Sequence, residues 1–178
     1  ISHGYGVKNT EYIFLADTLI EKGYLVVSIQ HDLQDDPHLP RTGNLYEKRK
    51  PIWERGVKNI LFVISELKTR YPNLNWEKLV LIGHSNGGDI SMLLATEHPE
   101  LVEKVISLDS LRMPFPTENK IPILSIRAGD TKADAGVLPK SGATIITLQH
   151  AKHNDMYDKS SKELKTEIID SVFKFLND

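Results

Sequence analysis

One stretch constrains this chain more than any other: Leu79-Val80-Leu81-Ile82-Gly83-His84-Ser85-Asn86-Gly87-Gly88. Four apolar residues run into a Gly-x-Ser-x-Gly pattern, and Ile90, Met92, Leu93, Leu94 and Ala95 follow at helical spacing. A buried strand, a glycine-flanked turn and a helix are the context in which this pattern makes a nucleophile elbow. Gly83 and Gly87 keep side chains out of a crowded turn. Ser85 is expected at its tip in a strained backbone conformation. The helix that starts there aims its first amides at any anion forming on the serine.

Elsewhere, apolar runs alternate with helical patterns. Tyr24 to Ile29 reads as a buried parallel strand, and Trp76–Ile82, Val102–Leu108, Ile121–Ile126 and Ala143–Leu148 as further strands. Helices are expected from a cap at Asn9 or Thr10 to Gly23, from Pro51 to about Arg70, after the elbow to His98, and from about Ser160 to Leu176. The first should bury Tyr12, Ile13, Leu15, Ala16, Leu19 and Ile20. Gln30–Lys50 and Arg112–Lys120 read as loops. Such alternation calls for an α/β chain: a mostly parallel sheet covered on both faces, a three-layer αβα sandwich. We expect one domain over residues 1–178, with no separate lid domain.

Sites in parallel sheets lie at the carboxyl ends of the strands. His3-Gly4-Tyr5-Gly6, Ser85, Asp109, Asp130, Asp134 and His153 all share that address. A serine hydroxyl becomes a useful nucleophile when a neighbouring base takes its proton, and histidine suits that work near neutral pH. His153, in the polar loop after the last strand, is the first choice for the base, and His150 is its rival. His84 precedes Ser85 and should point away from it. Asp134, Asp130 and Asp109 are all open as the acid that orients the base, since each lies between serine and histidine in the chain. The amide of Asn86 and one in the His3–Gly6 turn, that of Tyr5, are the candidate oxyanion donors.

Composition narrows the function classes. The 178 residues carry a net charge of -2, so there is no basic surplus for binding nucleic acid. No apolar run is long enough to span a bilayer. There is no cysteine, hence no thiolate metal site and no cysteine nucleophile, a composition that fits the cytoplasm and also fits a periplasmic or secreted protein. His31, Asp32, Asp35, Asp36 and His38 cluster in one loop, but such a cluster reads as a solvated rim before it reads as a metal site. No cofactor and no metal are called for. The chain opens at Ile1 inside what reads as the end of a strand. Residues upstream are therefore expected; a targeting signal could stand among them, and the cytoplasm is slightly favoured without one.

Taken together, His3-Gly4-Tyr5-Gly6, Gly83-His84-Ser85-Asn86-Gly87-Gly88, the aspartate loop before Val137-Leu138-Pro139, and His153 resemble the α/β-hydrolase family over nearly the whole chain. The nearer likeness is to lidless carboxylesterases and to the dienelactone-hydrolase and platelet-activating-factor-acetylhydrolase-like branches. In that family the acid commonly sits a few residues before a proline after the penultimate strand. The resemblance thus implies Ser85, Asp134 and His153 as the triad, with Tyr5 and Asn86 amides in the oxyanion hole. It implies an α/β-hydrolase fold lacking its first strands, and cleavage of small or medium carboxylic esters through an acyl-enzyme. Acyl transfer, thioester or peptide cleavage, and a non-catalytic binding role use the same fold and stay open as alternatives. An open site is expected, walled by the Gln30–Lys50 loop and Leu111–Phe115.

Overall fold

A computed structural model describes residues 1–116, 118 and 120–178. Thr117 and Asn119 of the expected Arg112–Lys120 loop lie outside the described residues. Leu79–His84 (β1), Val102–Leu108 (β2), Ile123–Ala128 (β3) and Thr144–Leu148 (β4) form a parallel sheet in the order β1-β2-β3-β4. The helices are Ile13–Glu21 (α1), Leu45–Arg70 (α2), Asn86–Glu97 (α3) and Lys162–Asn177 (α4).

Strand side chains alternate between two apolar layers, as the pleat requires. Leu81, Val105 and Ile123 face one layer, built with Trp53, Val57 and Ile60 of α2 and Ile90 and Leu94 of α3. Ile82, Ile106 and Leu124 face the other, with Leu15 and Leu19 of α1 and Ile168 and Val172 of α4. Each such fully buried side chain contributes about 1.5–3 kcal/mol relative to exposure. Two filled layers therefore hold the sheet from both sides, and the fold class matches expectation.

Local differences have physical causes. Helix α1 begins at Ile13, not beside Asn9 or Thr10. Its first amides are capped from a distance: the Asp158 carboxylate accepts Ile13 N–H at 2.9 Å and Phe14 N–H at 3.0 Å. Asn9 instead ties the Ser28 carbonyl and the Gln30 side chain. Ile13 and Ile20, expected inside, are exposed, because α1 turns a narrower face to the sheet. Helix α2 starts at Leu45, where the Asn44 side chain accepts from Glu47 N–H, and Pro51 falls within it. The proline forgoes one helical bond, a loss the flanking turns tolerate.

The Tyr24–Ile29 run is not a ladder strand. Among the described residues its one β-bridge is Ser2–Ile29, flanked by Ile1 N to Val27 O and Ile29 N–H to Ile1 O. Its residues border an apolar groove of about 330 Å³ along the open edge of β1, and Leu25 is exposed. No helix of the described residues is long and apolar enough to cross a membrane.

Candidate active site

The elbow takes its shape from its glycines. A Cβ on Gly87 would run into the Ser2 carbonyl, and one on Gly83 into the backbone of Gly87. Strand β1 and helix α3 can thus meet at so sharp an angle only without those side chains. Ser85 between them has φ 52° and ψ -117°, a left-handed-side conformation that a serine adopts only when its surroundings impose it. Its N–H donates to the Leu108 carbonyl of β2, and its carbonyl accepts from Asp89 N–H to start α3.

His153 begins a single 3₁₀ turn, His153–Asp155, after β4. Its backbone N–H donates to Asp130 Oδ1 at 2.7 Å, which anchors the turn. Ser85 Oγ lies 2.8 Å from its Nε2, and Asp109 Oδ2 lies 2.6 Å from its Nδ1. The carboxylate can only accept, so Nδ1 carries the proton and Nε2 is left to accept from the serine hydroxyl.

Asp109 closes β2 with φ 53°, the second strained residue of the site. It is wholly buried and fully satisfied. Oδ1 accepts Ala128 N–H at 3.1 Å and pairs with Arg127 Nη2 at 2.9 Å, while Oδ2 takes the Thr131 hydroxyl and His153. Burial works against ionisation here. The hydrogen bonds from His153 and Thr131 and the Arg127 charge outweigh it and hold the carboxyl below its usual range.

The carboxylate set against His153 is thus not the one the resemblance implies. Asp134, placed by resemblance beside His153, points instead to Arg112, with Nη1 to Oδ1 at 2.7 Å. Its loop is drawn toward Leu111, whose carbonyl accepts Asp134 N–H. The carboxylate that reaches the imidazole comes from one strand earlier. Asp130 touches His153 only through the backbone. His150, the rival base, is exposed and pairs with Glu167 at 3.3 Å.

A second set of contacts has no signal in the local sequence. Gly4 N–H donates to Tyr12 Oη at 2.9 Å, Tyr12 donates to His84 Nδ1 at 2.7 Å, and His84 Nε2–H donates to the His153 carbonyl at 2.9 Å. This strut links the glycine turn to the His153 turn. It explains the buried His84, whose pKa burial pushes down to about 4 so that it stays neutral. Gly4 N–H is thereby engaged, whereas the amides of Tyr5 and Asn86 donate to no group among the described residues. The Asn86 side chain is held by Trp53 Nε1 at 2.9 Å. In the acidic loop, Asp36 pairs with Arg55 at 2.6 Å, and His31 is buried against Ser2 Oγ rather than on a solvated rim. Among the described residues no cluster has the makings of a metal site.

Asp89, one turn into α3, accepts Arg112 N–H and Met113 N–H, both at 3.0 Å, and so fastens the segment after Asp109 to the elbow helix. Burial pushes its carboxyl up to about 6. A folded pKa above the unfolded value of 3.8 means that its share of stability is full below about pH 4 and is lost as pH rises through 6. We expect Asp89→Asn to gain on the wild type by about 3 kcal/mol between pH 4 and pH 7.5. Urea unfolding of both proteins across that range checks it, and parallel curves would refute it.

Sequence and structure comparisons point the same way. A family model described as the alpha/beta hydrolase fold matches residues 73–162. A serine hydrolase-like protein of Dictyostelium discoideum is 31% identical over 110 residues, 60% of this chain and 26% of its own length. A monoglyceride lipase homolog of Monkeypox virus is 30% identical over 129 residues, 72% of this chain and 42% of its own. The chain thus spans between about a quarter and two fifths of these curated relatives. Among solved structures, TT1662 from Thermus thermophilus superposes with a TM-score of 0.68 at 13% identity, covering 99% of this chain and 88% of that one. The Bacillus cereus carboxylesterase does so with a TM-score of 0.58 at 13% identity, covering 93% and 85%. At such identity the structural matches speak for the fold. The strained serine after β1, the helix it opens and the matched family model agree, and the chain belongs to the alpha/beta hydrolase family.

Proposed function

We propose that this protein is a serine hydrolase that cleaves small or medium carboxylic esters through an acyl-enzyme on Ser85. The observation that carries the reading is the single imidazole, His153, lying 2.8 Å from Ser85 Oγ and 2.6 Å from Asp109 Oδ2. In this reading Ser85 Oγ attacks the ester carbonyl while His153 Nε2 takes its proton. Asp109 keeps Nδ1 protonated and stabilises the imidazolium that forms. The tetrahedral oxyanion falls to the free amides of Asn86 and Tyr5, at the start of α3 and in the glycine turn. His153 then hands its proton to the departing alkoxide. Water, deprotonated by the same nitrogen, attacks the acyl-serine; the proton passes from His153 to Ser85 Oγ as that bond breaks and the acid leaves.

The named relatives include a serine hydrolase-like protein and a lipase homolog, which supports hydrolysis as the reaction class. A fluorophosphonate probe tests the nucleophile directly. We expect one adduct per folded chain, mapped to the Ser85 peptide and blocked by prior heat unfolding. Label found on another residue, or none at all, would discard the reading.

A further inference from the structure

Arg127 sits near the end of β3 with its side chain only 6% exposed. A guanidinium taken out of water costs several kcal/mol unless every donor finds good geometry. The neighbouring strand positions Ile126 and Ala128 are simply apolar and buried, so packing gives no reason for an arginine. Its partners give one. Nη2 meets Asp109 Oδ1 at 2.9 Å, and Nη1 donates to the carbonyl of Ser110. These acceptors belong to the strained residue itself, Asp109 at φ 53°, and to the residue after it.

We propose that Arg127 is a positioning residue of the ester-cleaving site: its guanidinium bridges the Asp109 carboxylate and the Ser110 carbonyl, and so fixes the strained turn that aims Oδ2 at His153. The inference rests on the reading of Ser85, His153 and Asp109 given above. The bridge divides the carboxylate in two. Oδ1 is occupied by Arg127 and the Ala128 amide, which leaves Oδ2 for Thr131 and His153. With Oδ1 clamped, the carboxylate cannot rotate away from the imidazole. The charged and titratable groups around Asp109 are Arg127 on β3, His153 and the neutral His84 on β1; Asp89 on α3 acts on Arg127 from farther off. Without Arg127, burial of the Asp109 carboxyl is opposed by fewer partners, and the group takes up a proton more readily as pH falls.

The test is the pH profile of p-nitrophenyl acetate hydrolysis by Arg127→Met and Arg127→Lys, with Ser85→Ala alongside. For Arg127→Met we expect kcat to fall about 10- to 100-fold with KM little changed, as a small misplacement of reacting groups would give. The acid limb of kcat/KM should move up by about one pH unit. Arg127→Lys keeps the charge but cannot fork across both acceptors, so its acid limb should stay near the wild type while kcat falls about three- to tenfold. A folded Arg127→Met protein with wild-type kcat and an unmoved limb would overturn the proposal. If Arg127→Met does not fold, Arg127→Lys decides alone, and a wild-type kcat there rejects the bridge. Turnover that survives in Ser85→Ala would remove the hydrolase reading itself. An inactive Ser85→Ala beside unaffected Arg127 variants would remove only the role of Arg127.

Discussion

Ser85→Ala is expected to lower ester turnover by on the order of 10⁵-fold or more, to the level that oxyanion donors and binding alone provide. The fold should hardly notice. Alanine meets the same strain at φ 52° as serine does, and among the described residues the only hydrogen bond lost is the one from Oγ to His153. That imidazole stays bonded to Asp109 and the partly open site admits water, so stability should change by about 1 kcal/mol or less. The two readouts together are diagnostic: activity collapses while the unfolding midpoint stands. Assays with p-nitrophenyl acetate and a urea titration suffice. Retained turnover in a folded Ser85→Ala protein would mean that the elbow serine is not the nucleophile, whatever its strained backbone implies.

The sequence was most legible where one local rule had no competitor. Val102, Val105, Ile106 and Leu108 set an apolar, β-branched-rich pattern that stops at Asp109, and β2 has the bounds Val102–Leu108. The elbow likewise combined apolar run, glycines and helical spacing within a few residues. Where structure depended on distant partners, local rules failed. Tyr24–Ile29 has the composition of a buried strand, but strand status needs a neighbour to pair with, and among the described residues its one β-bridge is Ser2–Ile29. Proline at position 51 has the form of a helix start, although Asn44 followed three residues later by Glu47 is the stronger start signal. The cap of α1 comes from Asp158, which no local window could reveal.

The acid is the instructive case. Chain order allowed Asp109, Asp130 and Asp134 alike, and resemblance favoured the last. A physical signal was nonetheless present. Arg127 interrupts the run Ile123-Leu124-Ser125-Ile126 at a strand end, and a buried arginine requires a buried carboxylate beside it. In the parallel register Leu108 lies against Ile126, which sets Asp109 next to Arg127. The arginine in the strand thus names its partner, and that partner is the carboxylate that reaches His153.

Substitution of the two aspartates should separate these readings sharply. In Asp109→Asn, the amide that replaces the carboxylate can present a donor to His153 Nδ1. The imidazole is then driven to the tautomer whose Nε2 carries the proton and cannot receive one from Ser85. We expect kcat to fall by about 10³- to 10⁴-fold, the scale on which loss of the correct tautomer acts in such sites. The same change strips Arg127 of its counter-charge within a nearly closed environment, which should lower stability by about 3 kcal/mol. Asp134→Asn breaks only the pair with Arg112, in which the aspartate is 48% exposed. Such a pair is worth about 1 kcal/mol or less, and kcat should stay within a few-fold of the wild type. Steady-state kinetics and unfolding curves of both variants decide the matter. A severe loss in Asp134→Asn with Asp109→Asn nearly unaffected would return the acid to the loop before Pro139 and require the His153 turn to move away from β2 during the reaction.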